Sequence, residues 1–557
     1  MKRLIISLIM ALPMLAMAQS QTNVTVEAAG QLSEKIPQGD RFKIVELKVS
    51  GPLNGADLKL LQQIVNRTKA NEKNGECLVS TVDLSGATIM EGKEGMKTKA
   101  NELPSGFFAG AKMLTKVILP TNLINISKNC FADCNSLAVL VIPETVTTIG
   151  SQAFLNCALL PGINIPAFTM SIGSEAFEGC KSLATMSIPA NVREMGTQAF
   201  KDCTAMTSVS IAGALKTISD DAFNGCSNLE SVEMSATITE IGSSAFENCK
   251  SLITINLANI NKVGSKAFNE CTSLQEVGFN NITKLGSSAF EDCKNLKTVV
   301  LKGSLDDISS DAFKGCVSLQ SITVPNGLKT IGSQAFDGCR SLETIELPAT
   351  LTKIDNHAFE NCSSLKNIVI PNAIKSIGSS AFENCSQLET AAINGFITVV
   401  ESDLFKGCNN LHSVTLPNTV KKIGNQAFQN CVALSSIDLP VSLLTIGDEA
   451  FRKCTSLTEI KVPVAVTTIG SDAFNGCSTL TKAELSVAMK KIGGSAFQNC
   501  PMLREVILNS PNPPSISKST FKGVAATFHI PTGSQPLFNA NKDWQKLPTK
   551  EKTSSIF

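Results

Sequence analysis

Cysteine recurs in this chain at 134, 157, 180, 203, 226, 249, 271, 293, 316, 339, 362, 385, 408, 431, 454, 477 and 500, each three residues after a phenylalanine. Successive steps are 23 residues, except two of 22 between Cys249 and Cys293. A fixed period in this range is the mark of a solenoid, because each repeat is one short unit that buries its apolar side only against its neighbours. The period therefore overrides the several separate domains that 557 residues would otherwise suggest.

One unit, CNSLAVLVIPETVTTIGSQAF, runs from Cys134 to Phe154. Leu140 and Ile142 alternate like the inner face of a short strand. Pro143 ends it, because proline cannot donate to a ladder. Val146 and Ile149 form a second apolar pair, and Ala153 and Phe154 point inward again. Gly150 stands where a left-handed turn is expected, matched by Gly173, Gly242, Gly332, Gly424 and Gly470. Ser219, Ser309, Asp355 and Glu401 occupy that place in other units, so glycine is favoured there without being required. With rungs about 4.8 Å apart, about nineteen of them would stack to roughly 90 Å.

The ends depart from the pattern, as those of a capped array should. Phe108 lies 23 residues before Phe131, but Ala111 replaces the cysteine; Phe521 opens a last unit with Val524 in its place. Residues 1–18 read as a secretory signal peptide: Lys2 and Arg3, an apolar run from Leu4 to Leu15, then Ala16-Met17-Ala18. Residues 19–103 read as an N-terminal cap with short strands, an early irregular rung at Val82 and Leu84, and one amphipathic helix. Residues 104–524 form the array and 525–557 a C-terminal cap. No later stretch is apolar for about 18 residues, so no transmembrane segment is expected. The chain is expected outside the cytoplasm, whether secreted, held at the cell surface or periplasmic.

The pattern L-x-x-I-x-I-P-x-x-V-x-x-I-G-x-x-A-F-x-x-C resembles the BspA-type leucine-rich repeat of bacterial surface and secreted proteins. The late segment TFHIPTGSQPLFNANKDWQKL is similar to a closing segment common in that family. The resemblance implies an α/β solenoid: a leucine-rich-repeat superhelix with one short strand per turn on its concave face. It also implies adhesion or binding, with a protein or glycan at a host or bacterial surface as partner.

The cysteines could be bridges, metal ligands, nucleophiles or packing. Export favours bridges, but ladder side chains run parallel. Their Cβ atoms would then sit nearly 5 Å apart, beyond the usual separation in a disulfide. Packing needs only a small apolar side chain, which fits the Ala111 and Val524 replacements. Cys77 and Cys130 lie off the ladder and are the candidates for a bridge. Zinc would want four close ligands, whereas CFADC (Cys130 and Cys134) has no second pair and His357, His412 and His529 are scattered. A cysteine nucleophile would need an adjacent base, which a column of identical residues does not supply. GATIMEGKE (86–94) spaces its glycines one residue too far apart for a phosphate loop and puts Glu94 where Ser or Thr should stand. No catalytic motif, metal or cofactor is expected.

Binding by repeat arrays uses the long concave surface. Two strand residues per turn, five and seven after the cysteine, should face it. They are mainly Ser and Thr, as at Thr185 and Ser187 or Ser413 and Thr415, and become charged toward the C-terminus. The candidate binding residues are Glu346, Asp438, Glu459, Lys461, Lys482 and Glu484. A net charge of +1 argues against a nucleic-acid partner. The first reading is an exported, non-enzymatic binding or adhesion protein. A structural scaffold without a host ligand is the alternative, and an enzyme with a site in the N-terminal cap is a third.

Overall fold

The computed structural model describes residues 21–66 and 78–552. The signal peptide assigned to 1–18 and Cys77 lie outside the described residues. The chain divides into two compact units, Met1–Ala214 and Leu215–Phe557.

In the first unit, Gln21–Thr25, Glu46–Leu53, Thr81–Asp83, Lys116–Ile118 and Val139–Val141 pair in that order, all parallel. Val82 pairs with Val117 and is fully buried. The early segment is thus continuous with the repeats through one sheet. The helix Gly55–Val65 is closed at its start by Asn54, whose side chain accepts from the N–H groups of Ala56 and Asp57. The buried Asp57 carboxylate in turn accepts from the N–H groups of Gly30, Leu32 and Asn54, tying two loops to that helix start. Further along, Thr185–Ile188 pairs with Ser208–Ile211 in the same parallel manner.

The second unit repeats the motif. Strands of two to seven residues pair in parallel, for example Asn367–Ile370, Thr390–Ile393 and Ser413–Thr415. A second ladder of two-residue strands runs beside the first, as in Val399–Val400, Lys422–Ile423, Thr445–Ile446, Thr468–Ile469 and Lys491–Ile492. The protein is a parallel-strand solenoid with few helices, as the period predicts.

Phenylalanine fills the interior of the repeat turns in both units. In the first unit the rings from Phe108 to Phe200 stack at 5.0–5.3 Å and within 18° of parallel. In the second unit those from Phe223 to Phe521 stack at 5.1–5.7 Å, again near parallel. Such offset stacks add roughly 0.5–1.5 kcal/mol per pair beyond burial. Each column ends in a ring turned on edge: Phe107 against Phe108, and Phe528 against Phe521. The single tryptophan, Trp544, is fully buried beside that last pair and donates its indole N–H to Pro514 O at 2.7 Å.

The loop side has its own inter-turn ladder. The N–H groups of Gln152, Phe154 and Asn156 donate to the carbonyls of Ser174, Ala176 and Glu178 one turn on, at 2.7–2.8 Å. Those of Ala153, Leu155 and Cys157 turn back into their own loop. This alternation needs left-handed residues, and Gln152 (φ 57°) and Asn156 (φ 58°) supply them. Asn, Asp, Gly and other polar residues recur at these two places because the left-handed region costs a side chain roughly 1–2 kcal/mol and Gly or Asn least.

The left-handed position is therefore not Gly150, where the sequence places it. Gly150, Gly173 and the other glycines of this column sit instead where the previous turn comes close: a Cβ on Gly173 would lie 2.3 Å from Ser151 N in the previous turn. Where Ser309 stands in this column, its hydroxyl donates to Leu285 O at 2.7 Å. Gly264→Ala, whose Cβ would lie 2.5 Å from Ser243 N, should destabilise the protein by about 1–3 kcal/mol through overpacking. Gly327→Ala, with nothing within 4 Å, should stay within about 0.5 kcal/mol. Urea unfolding of the two variants measures the contrast; equal effects would contradict the close-approach account.

Candidate functional site

The cysteine column is the first candidate for chemistry, and its geometry makes it structural. All 18 described cysteines are free and buried. Within each unit the ladder thiols sit against a phenylalanine carbonyl of the previous turn: Cys157 Sγ donates to Phe131 O at 3.2 Å, Cys293 to Phe268 O at 3.1 Å, Cys500 to Phe474 O at 3.2 Å. The same Phe131 carbonyl also accepts the Cys134 N–H of its own turn. The thiol thus fills the carbonyl's second lone pair, a weak bond repeated along each unit. Packing is the role foreseen, and the donor role is an addition to it. Cys130, foreseen as a bridge candidate, is a free, fully buried thiol that takes the place of Ala153 in the neighbouring turn.

Burial pushes the Cys134, Cys180 and Cys500 thiols up to about 12, and it raises Cys249 and Cys293 with a further push from neighbouring thiols. The nucleophile is the thiolate, so these groups are inert at neutral pH. Among the described residues no group of three or more His, Cys, Asp or Glu is placed to hold a metal. His357 pairs with Glu360 at 2.7 Å, His412 is exposed, and His529 lies in the strand Thr527–Ile530.

The strand face carries the remaining candidates. In most turns residues five and seven after the cysteine alternate with a buried one, so Thr185 and Ser187, or Glu459 and Lys461, are exposed while Met186 and Ile460 are buried. Parallel register then lines up equivalent positions: Glu459 opposite Lys482 opposite Glu505, and Lys461 opposite Glu484. Four of the six sequence candidates are thereby brought together, alternating in sign along and across the strands. Asp438 joins them one turn earlier, where it and Lys461 line a cavity of about 290 Å³ with Val441 and Val464. Glu346 stands apart, at the edge of a cavity of about 450 Å³ that includes Ser321, Thr323 and Thr344.

A third depression is one that sequence reasoning passed over. About 570 Å³ opens on the strand face, lined by Ser231, Glu233, Thr254, Asn256, Glu276 and Gly278 among others. Its floor is low because Gly278 has no side chain and nothing lies within 4 Å of where a Cβ would be. This is where the two 22-residue steps fall. Each drops one residue from the loop after the strand, and the adjoining strands lengthen to Glu276–Ile282 and Thr298–Gly303 with a register shift between Phe279 and Ile282. The break in period was the available signal.

Sequence comparison fits this geometry. The BspA type leucine-rich repeat region matches over residues 101–214, 194–319, 306–435 and 398–527. The chain belongs to that family. This BspA-type chain is also similar to a leucine-rich repeat protein from Bacteroides ovatus, at 23% identity, covering 76% of this chain and 89% of the other with a TM-score of 0.38. A leucine-rich cell surface protein from Faecalibacterium prausnitzii matches at 24% identity over 65% and 88%, TM-score 0.31. The pneumococcal vaccine antigen PcpA matches at 18% identity over 71% and 94%, TM-score 0.35. No curated protein matches.

The raised thiols give this BspA-type repeat an alkaline limit. An unfolded cysteine ionises near 9, whereas folded Cys134, Cys180 and Cys500 hold their protons to about 12. Below the unfolded value both states are protonated and the full stability is present. Above it the unfolded state releases protons that the fold keeps, so stability falls by about 1.4 kcal/mol per pH unit for each such thiol. The urea midpoint should therefore drop steeply between about pH 9 and about pH 11; a flat profile would contradict buried, protonated thiols.

Proposed function

We propose that this protein is an exported, non-enzymatic binding protein whose strand face contacts a protein or glycan at a host or bacterial surface. The observation that carries the reading is the strand face itself. Exposed hydroxyl, amide and charged side chains are held in register there, and the face opens into the depression at Gly278. Glu233 and Glu276 on its rim would favour a cationic or hydroxyl-rich group. Glu346, Asp438, Glu459, Lys461, Lys482 and Glu484 are the charged stretches of the same face. Hydroxyl-rich surfaces bind weakly per unit area, and Trp, Tyr and Arg are the usual hot spots. The long row of equivalent positions offsets this by offering many contacts at once.

Family membership supports the reading, since leucine-rich repeat solenoids generally bind or scaffold other molecules rather than act on them. Among the described residues no helix is long and apolar enough to cross a membrane. The buried, protonated thiol column presents no accessible thiolate.

The test is an array of matrix proteins and glycans probed with wild-type protein and with Gly278→Arg. The substitution fills the depression without backbone strain, because the site has open space and ordinary φ. At least a tenfold loss of affinity for the captured ligand is expected, about 1.4 kcal/mol. Unchanged capture would remove the depression from the binding surface, and no capture by either form, with the protein inaccessible to surface proteolysis on cells, would favour the scaffold reading.

A further inference from the structure

The charged block near the C-terminal end has a property that its composition alone conceals. Glu459 and Lys461 lie on one strand, Lys482 and Glu484 on the next, with Glu459 opposite Lys482 and Lys461 opposite Glu484. Ile460 and Ala483 between them are buried, so all four charged side chains leave the same face. They occupy the corners of a rectangle about 7 Å along the strands and about 4.8 Å across them. Like signs sit on the diagonals, and the block sums to zero charge.

Such a block discriminates sharply between partners. A uniformly charged molecule gains from two corners and is repelled by the other two. A second copy of the same block, turned about a two-fold axis in the plane and parallel to the strands, meets opposite charge at every corner: Glu459 faces Lys482, and Lys461 faces Glu484, in both directions. A two-fold interface requires this self-complementarity, in which residue i meets j and j meets i. The apolar rim obeys the same operation. Val464 and Val487 occupy equivalent places in these two turns and are 69% and 51% exposed. Val464 shares its cavity with Lys461, which places that valine beside the charges. The same axis sets Val464 of one copy over Val487 of the other.

We propose that the strand face around Glu459, Lys461, Lys482 and Glu484 binds the same face of a second copy of this chain. This names the partner for one stretch of the face described above, and leaves the depression at Gly278 free in each copy. Two copies would double the number of ligand-binding faces per particle, which strengthens contact with a repetitive surface.

The test uses two variants of the full chain. E459K/E484K makes all four corners positive and K461E/K482E makes them all negative. Sedimentation equilibrium should find the wild type dimerising, with association weakened by added salt because exposed charges are screened. Each variant alone should dissociate at concentrations on the order of a hundredfold higher, since like charges face each other at every corner. An equimolar mixture should recover association, which a merely unfolded variant could not do. V464D/V487D should weaken self-association independently of the charges. A wild type that stays monomeric, or variants that associate as it does, would overturn the proposal. The readout is assembly, not ligand capture, so its failure is separate from failure of the binding reading.

Discussion

Each turn of this protein is completed by its neighbour about 23 residues away. The carbonyl of Phe131 accepts the Cys134 N–H within its turn and the Cys157 thiol from the next. The ring of the same residue stacks 5.3 Å from Phe154. The Phe154 N–H reaches on to Ala176. Backbone, ring and thiol therefore all demand the same register. A residue inserted at random would break three ladders at once, whereas one dropped from the loop after the strand breaks none. That is where the two 22-residue steps lose their residue.

The repeat, the inward phenylalanines and the outward strand positions were legible because each depends only on periodicity and polarity. What was not legible depends on distance between turns. Gly150 and Gly173 look like turn residues in sequence, but it is the backbone of the preceding turn that excludes a side chain. The left-handed residues fall instead on Gln152 and Asn156, whose polar character does not stand out among other loop residues. Cys130 looks unlike the ladder cysteines because its equivalent in other turns is alanine. Its burial follows from the column it occupies rather than from its own neighbours in sequence.

The site divides in the same way. The charged residues at 459, 461, 482 and 484 were visible one by one. Their alternation in two dimensions required parallel register, which pairs Glu459 with Lys482 rather than with another acid. The depression at Gly278 was hidden because glycine in a strand reads as a weak position rather than as a missing wall. In both cases the useful surface comes from small departures in a regular scaffold. The core stays uniform because any change there is felt in the next turn.

The register of every turn depends on a column of buried thiols that donate hydrogen bonds to the phenylalanine carbonyls. The infrared S–H stretch of the native protein, prepared without reductant, tests it most directly. A narrow band shifted below the frequency of a free thiol, strong enough for the whole column and lost on unfolding, is the predicted result. A missing band, as disulfides would give, or a band at the free-thiol frequency would contradict it.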